Sequence, residues 1–172
     1  MHETIWRTGL RFLKQTFGDK EIIGAEIGVC KGENALEMYQ NLNFKKMYLI
    51  DLWEIYFQDK QRVNYTSVYD MVKDKFKEYN DITIIKGDSI EIAKTIEDNV
   101  LDFAYIDANH QKEYVVKDME AWLPKVKVGG YLMGHDYGGI YTGVKEAVDE
   151  FINKFNYKLL NKIPSGDWWF QK

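Results

Sequence analysis

Ile22-Ile23-Gly24-Ala25-Glu26-Ile27-Gly28-Val29-Cys30-Lys31-Gly32 is the stretch that decides the fold. An apolar run passes into a glycine-punctuated turn, and Gly32-Glu33-Asn34 then opens a helical pattern. A strand ending this way delivers backbone to a sheet edge where a nucleotide-type cofactor can lie. Gly28 and Gly32 lack a Cβ, so a ligand and the next helix can approach closely. The pattern is E-x-G-x-x-x-G, not the G-x-G-x-x-G of dinucleotide binders, so it offers no pyrophosphate cradle. Glu26 puts an acid at the strand end instead, which suits a cofactor carrying a cationic amine.

Outward from this turn, strands and helices alternate. Upstream, Trp6, Leu10, Leu13 and Phe17 recur at helical spacing until Gly18-Asp19. Downstream, Ala35, Leu36, Tyr39 and Leu42 mark a helical face, and Met47–Ile50 a strand ending at Asp51. Residues 52–65 have no clear period. Val68, Met71, Val72 and Phe76 then predict a helix, Ile82–Ile85 a strand, Ile90–Ile96 a short helix and Leu101–Ile106 a strand. Val115, Met119, Trp122 and Leu123 form a helical stripe stopped by Pro124, and Tyr131–Met133 a strand ending at His135-Asp136. Val144 to Phe155 is the last helix. Tyr157–Ile163 and Trp168–Gln171 read as strands joined by the turn-rich Pro164-Ser165-Gly166-Asp167.

Five such alternations imply a mostly parallel sheet with helices on both faces. The last connection is too short for a parallel crossover, so it must be a hairpin, with one of its strands antiparallel to the rest. The expectation is one domain over 1–172, an α/β Rossmann-like sheet of seven strands with a C-terminal antiparallel hairpin. Adjacent Trp168 and Trp169 should point to opposite faces of that sheet.

The chain has 172 residues, enough for a sizeable single core. A net charge of −4 and the lack of a long Lys/Arg run argue against a nucleic-acid face. One cysteine, Cys30, excludes an internal disulfide framework and fits a reducing, cytoplasmic compartment. Cys30 itself reads as a small hydrophobe rather than a reactive thiol. No stretch reaches membrane-spanning length, and no signal-peptide apolar region opens the chain.

In open α/β sheets, ligands bind beyond the carboxyl ends of the strands. Glu26, Asp51, Asp88, Asp107 and Asp136 all fall at or just after such ends. Asp51 follows the glycine turn at roughly the twenty-residue spacing at which an acid receives ribose hydroxyls. Its alternative is a solvated loop aspartate. Asp88-Ser89 can cap the next helix or contact adenine, and one residue can do both.

The blocks AEIGVCKG, LID, KGDS and LDFAYIDANHQKEYVVKDMEAWLPKVKVGGYLMGHDY together resemble a class I S-adenosylmethionine-dependent methyltransferase. The last block is similar to small-molecule enzymes related to the metal-dependent O-methyltransferases and the cephalosporin-hydroxylase-like group. The resemblance implies that Glu26, Gly28 and Gly32 line the methionine side of the cofactor, that Asp51 holds its ribose, and that Asp88 and Ser89 face its adenine. Asp107 joins this cofactor-binding set. In catechol-type relatives a divalent cation sits on an Asp after the fourth strand and an Asp-Asn pair after the fifth. The matching positions here are Asp107, His135 and Asp136. His135 departs from that pattern, and an Asp/His/Asp set suits a borderline transition metal better than Mg²⁺. The family's catalytic lysine is replaced by His110.

A hydroxyl acceptor must lose its proton to attack a sulfonium methyl. His110 or His135 can take that proton, or a metal can lower the hydroxyl's pKa. His110 is the first choice because Asp107, three positions earlier, can orient it; its alternative is a polar first-turn residue. Trp53, Tyr56, Phe57 and Tyr65 read equally well as an aromatic lid or as an outer helix packed on the sheet. His2 carries no role.

These readings favour an S-adenosylmethionine-dependent O-methyltransferase acting on a small hydroxylated molecule such as a sugar or secondary metabolite. A divalent metal is a second candidate cofactor, and a second copy of the chain could complete the acceptor site. Nucleic acid and membrane are not expected partners. One alternative is a non-catalytic S-adenosylmethionine-binding or partner-binding protein. A nicotinamide-dependent oxidoreductase is disfavoured by the missing G-x-G-x-x-G turn.

Overall fold

The computed structural model describes residues 7–58, 61–64, 67–162 and 166–172, with the side chains of 55–58, 61–64 and 162 outside the description. Five strands form a parallel sheet: β1 (Ile22–Ile27), β2 (Phe44–Asp51), β5 (Ile82–Lys86), β6 (Leu101–Ile106) and β7 (Val126–Tyr137). β9 (Gly166–Gln171) runs antiparallel beside β7, and β8 (Asn161–Lys162) pairs antiparallel with β9. The order is β5-β2-β1-β6-β7-β9-β8. The expected seven strands are reached only by counting the two-residue edge β8; without it the sheet has six. Trp6 and residues 163–165 of the expected C-terminal turn lie outside the described residues. Gly166 and Asp167, read as part of that turn, belong to β9.

Among the described residues six α-helices flank the sheet: α1 (Thr8–Phe17), α2 (Glu33–Asn41), α3 (Val68–Phe76), α4 (Ser89–Ala93), α5 (Lys112–Trp122) and α6 (Thr142–Phe155). One apolar layer gathers Ile96, Trp122, Phe151 and Trp168 between the sheet and α4–α6; the other gathers Leu10, Met38, Phe76 and Trp169 under α1–α3. Trp168 and Trp169 therefore enter opposite cores, as alternation along a strand requires. Each buries an aromatic surface worth about 4–6 kcal/mol in transfer free energy.

Five details depart from the sequence reading. β3 (Ile55–Gln58) pairs antiparallel with β4 (Gln61–Asn64), so the outer-helix alternative is wrong for this segment, and Tyr65 lies outside the described residues. Trp53 belongs to neither alternative: it is fully buried, its Nε1 donates to the Cys30 carbonyl at 2.8 Å, and its ring packs against Tyr69. β7 begins at Val126 rather than Tyr131 and passes straight through Gly129-Gly130. The register slips there, because Leu101 pairs with Val126 while Phe103 pairs with Tyr131. Gly129 sits at φ +83°, and a Cβ on Gly130 would lie 2.7 Å from the Asp102 carbonyl, so this bulge needs both glycines. The penultimate strand keeps only Asn161–Lys162; Tyr157 stacks on Phe170 from outside it. Met71, placed on the buried face of α3, is half exposed.

The sheet is laid down from β1 outward through β2 and β5, and the chain then crosses back to β6 and β7. The direction reverses between β1 and β6, and their carboxyl ends form the crevice where ligands bind in such sheets.

Candidate active site

The glycine turn is locked in three ways. Gly28 has φ +89°, a left-handed value that favours glycine, and a Cβ there would sit 2.0 Å from the Asp107 carbonyl oxygen. The ends of β1 and β6 thus touch backbone to backbone, with the Asp107 amide donating to Ile27 at 2.7 Å. Asp51 closes the turn from the β2 side. Its Oδ2 accepts from the amides of Val29 (2.9 Å) and Cys30 (2.8 Å), and its Oδ1 from Trp53 (2.9 Å). Asp51, expected at ribose, therefore also fastens the turn to β2. Gly32 is the left-handed N-cap of α2 at φ +77°, where a Cβ would press on Phe76.

Glu26 lies at the bottom of the crevice, 1% exposed. Its Oε1 accepts from Asn34 Nδ2 at 2.7 Å. Its Oε2 and the Asn34 Oδ1 are buried and find no hydrogen-bond partner among the described residues. Burial pushes the Glu26 carboxyl up to about 8, against the pull of Asn34. A buried carboxyl oxygen without a donor, at a sheet's switch point, is chemically matched to a cationic hydrogen-bond donor.

Asp88 and Ser89 behave differently from each other. Asp88 is exposed and caps α4, accepting from the amides of Ile90 and Glu91. The Ser89 hydroxyl donates to Asp118, a 4% exposed aspartate on α5 whose carboxyl is pushed up to about 7 by burial. The capping reading of Asp88 holds, and Ser89 turns its hydroxyl toward α5.

Beyond β6 and β7 a charged cluster forms. His110 Nε2 lies 3.0 Å from Asp136 Oδ2 and 3.8 Å from Asp107 Oδ1. One ligand atom each from Asp107, His110 and Asp136 falls within 4.8 Å of the others. His135, expected in the metal set, is not in that group; its Nδ1 faces Asp136 Oδ1 at 3.1 Å. The difference follows from the backbone. Adjacent residues on β7 diverge, and Asp136 at φ +61° turns its carboxylate toward the β6–α5 loop. The loop is seated by α6, where a Cβ on Gly143 would lie 2.6 Å from the His110 carbonyl, and by Tyr141, whose ring stacks on His110 at 3.9 Å. Trp168 Nε1 donates to the His135 carbonyl from below at 3.1 Å.

Burial alone would lower the His110 pKa, but the carboxylates of Asp107 and Asp136 beside it prevail and raise it to about 9. His135 is raised too, by Asp136 against its own burial. Asp136 stays well below the usual carboxylate range despite burial, because both histidines pair with it. Asp107 is also lowered against its burial, by His110 and Arg7.

Sequence reasoning missed Arg7, Asn34, Asp118, Tyr141 and the pair Tyr105–Asp167. Asn34 was findable, since it opens the helix after the turn and must face the strand end. Arg7 and Asp167 carry no local signal; each reaches the site across most of the chain.

A profile of the family described as a methyltransferase domain matches residues 25–137. The chain belongs to that family, the class I S-adenosylmethionine-dependent methyltransferases. No curated protein matches it by sequence. Its fold is similar to that of a caffeoyl-CoA O-methyltransferase-like protein of Staphylococcus aureus: 17% identity, 99% of this chain and 86% of that one, TM-score 0.69. The O-methyltransferase NovP shares 17% identity over 95% of this chain and 79% of its own, TM-score 0.68. A methyltransferase-like protein of Streptococcus mutans, solved with SAH, shares 19% identity over 97% of each chain, TM-score 0.66. An rRNA methylase of Streptococcus thermophilus and a carbon methyltransferase also match, so at this identity the likeness carries the fold and not the acceptor.

Proposed function

We propose that this methyltransferase uses S-adenosylmethionine to methylate a hydroxyl of a small molecule such as a sugar or secondary metabolite. The observation that carries the reading is Glu26: a buried carboxyl oxygen without a partner, at the switch point, beside a turn closed to pyrophosphate. The α-ammonium of S-adenosylmethionine is the complementary group. Gly28 and Gly32 leave room for the methionine chain, Asp51 offers its carboxylate to the ribose, and Asp88 and Ser89 border the adenine. S-adenosylmethionine supplies an already activated methyl, so the protein's share is alignment and proton removal.

The proton acceptor is His110. It stands at the end of β6, held between Asp136, Asp107 and the Tyr141 ring. The aspartates orient the imidazole and stabilise the imidazolium that forms when it takes the hydroxyl proton. His135, on the neighbouring strand end, is the second candidate for that step.

Asp107, His110 and Asp136 also have the spacing and the mixed oxygen–nitrogen donors for a divalent ion. Bound there, the ion would act as a Lewis acid that lowers the acceptor hydroxyl's pKa. A cation on Nε2 would take the place of the proton that the aspartates hold there and would disfavour protonation of Nδ1, which would leave the hydroxyl proton to His135.

The acceptor class rests on the net charge of −4, on the lack of a long Lys/Arg run in the sequence and on the compact Asp/His cluster. No helix among the described residues is long and apolar enough to cross a membrane. The reading places the enzyme in a reducing compartment, consistent with its lone Cys30. To test the acceptor, methyl-labelled S-adenosylmethionine is incubated with the protein and a fractionated cell extract. Label should enter the small-molecule fraction and be lost with His110→Ala. Label appearing in RNA instead would overturn the acceptor assignment.

A further inference from the structure

We propose that Arg7 is the built-in counter-cation of Asp107, and that a divalent ion reaches this carboxylate only in competition with it. Arg7 Nη1 donates to Asp107 Oδ2 at 2.7 Å and to the Tyr105 hydroxyl at 2.9 Å. The pair is no loose surface contact: the two side chains are 27% and 17% exposed. In that setting a guanidinium–carboxylate bond is short, charge-assisted and weakly screened.

The guanidinium is also held from behind. Tyr105 is buried, and its hydroxyl donates to Asp167 while receiving Arg7. Asp167, itself 1% exposed, accepts from the Gly9 amide at 2.6 Å and the Thr8 hydroxyl at 2.8 Å. Asp167 thus captures the first turn of α1, and that capture sets Arg7, the residue just before α1, over the end of β6. A relay of Asp167, Tyr105 and Arg7 runs from β9 to the Asp107 carboxylate.

The arrangement fixes which Asp107 oxygen is available. Oδ2 is taken by Arg7, and Oδ1 faces His110 at 3.8 Å. Across the cluster, Asp136 already meets His110 and His135. An ion at the Asp107, His110 and Asp136 atoms would share Asp107 with a fixed positive charge at its other oxygen. Coulomb repulsion between a divalent ion and a guanidinium sharing one carboxylate, in a half-buried setting, weakens binding by roughly tenfold or more. Arg7 is therefore a positioning residue: it holds the Asp107 rotamer and supplies positive charge without an ion.

The test is Mn²⁺ affinity, read by titration calorimetry and by electron paramagnetic resonance of free Mn²⁺, on wild type, Arg7→Gln and Arg7→Lys. Arg7→Gln should bind Mn²⁺ at least tenfold more tightly than wild type, and Arg7→Lys within threefold of wild type. A merely structural role for Arg7 predicts equal or weaker Mn²⁺ binding in Arg7→Gln, which would overturn the proposal. So would Arg7→Lys matching Arg7→Gln. Tyr105→Phe keeps Arg7 but removes its support. It should tighten Mn²⁺ by a factor between those of wild type and Arg7→Gln, and no change in a folded Tyr105→Phe protein would also count against the proposal. Mn²⁺ binding is independent of which group is transferred. S-adenosylhomocysteine affinity, measured alongside, tests the methyl-transfer reading separately.

Discussion

Replacing Glu26 by Gln should stabilise the protein and weaken cofactor binding together. In the folded chain this carboxyl titrates near 8, against 4.5 in its ordinary setting, mainly because it is buried. Folding therefore favours the protonated form. The stability linked to this group is fully present below pH 4.5 and is lost as pH rises through 8. At pH 7 the loss amounts to at most about 3 kcal/mol. A glutamine has no proton to gain. Its carbonyl can still accept from Asn34 Nδ2, and its own amide can donate to Asn34 Oδ1, which has no partner among the described residues. The difference in melting temperature between Glu26→Gln and wild type should be near zero around pH 4.5 and reach up to about 10 °C at pH 8. Groups shared by both proteins cancel in that difference. The same change puts an amide where the cofactor's ammonium needs a carboxylate, so S-adenosylhomocysteine should bind roughly 10–100-fold more weakly. Wild type should also release a proton on binding at pH 7, with affinity rising between pH 6 and 8. Thermal melts across pH and calorimetry in buffers of different ionisation enthalpy check these points. A Glu26→Gln protein that melts below wild type at pH 8, or binds S-adenosylhomocysteine equally well, refutes the reasoning.

His110 titrates near 9 and acts as a base only when neutral, so kcat/KM should climb about tenfold per unit from pH 7 and level off near 9; a flat pH–rate profile over that range would remove it as the base. Gly28→Ala meets both a left-handed φ and a contact with the Asp107 carbonyl, and chemical denaturation should show a loss of about 3 kcal/mol or more. Asp51→Asn keeps one of two accepting oxygens for the amides of Val29, Cys30 and Trp53. It should cost about 1–2 kcal/mol in urea unfolding and weaken S-adenosylhomocysteine roughly tenfold. Asp167→Asn leaves its buried donors one accepting oxygen instead of two, and loosening of α1 should appear as about 2–3 kcal/mol of lost stability and faster amide exchange at Gly9.

What was legible in the sequence was what local pattern controls. β1 and β6 fall on the residues that their apolar runs mark, and β9 runs antiparallel because its connection is too short to cross over. Glu26, Gly28 and Asp107 meet because strand ends in this topology must. What long-range contact controls was not legible. Gly129-Gly130 looks like a loop by composition, yet pairing with β6 draws it into β7 as a bulge. Trp53 looked like part of a lid or an outer helix, but its indole N–H has a buried carbonyl waiting at Cys30. The metal-type cluster took His110 rather than His135 because the left-handed backbone at Asp136 turns one neighbour in and the other aside. Arg7 enters from the far end of the chain, with no spacing rule to announce it.

Calorimetric titration of the wild-type protein with S-adenosylmethionine, S-adenosylhomocysteine and NADH in turn tests the cofactor assignment most directly. The first two should bind saturably and one-to-one, roughly 10–100-fold more weakly in Glu26→Gln, and NADH should not bind. Binding of NADH with no heat from either sulfur nucleoside would contradict that assignment.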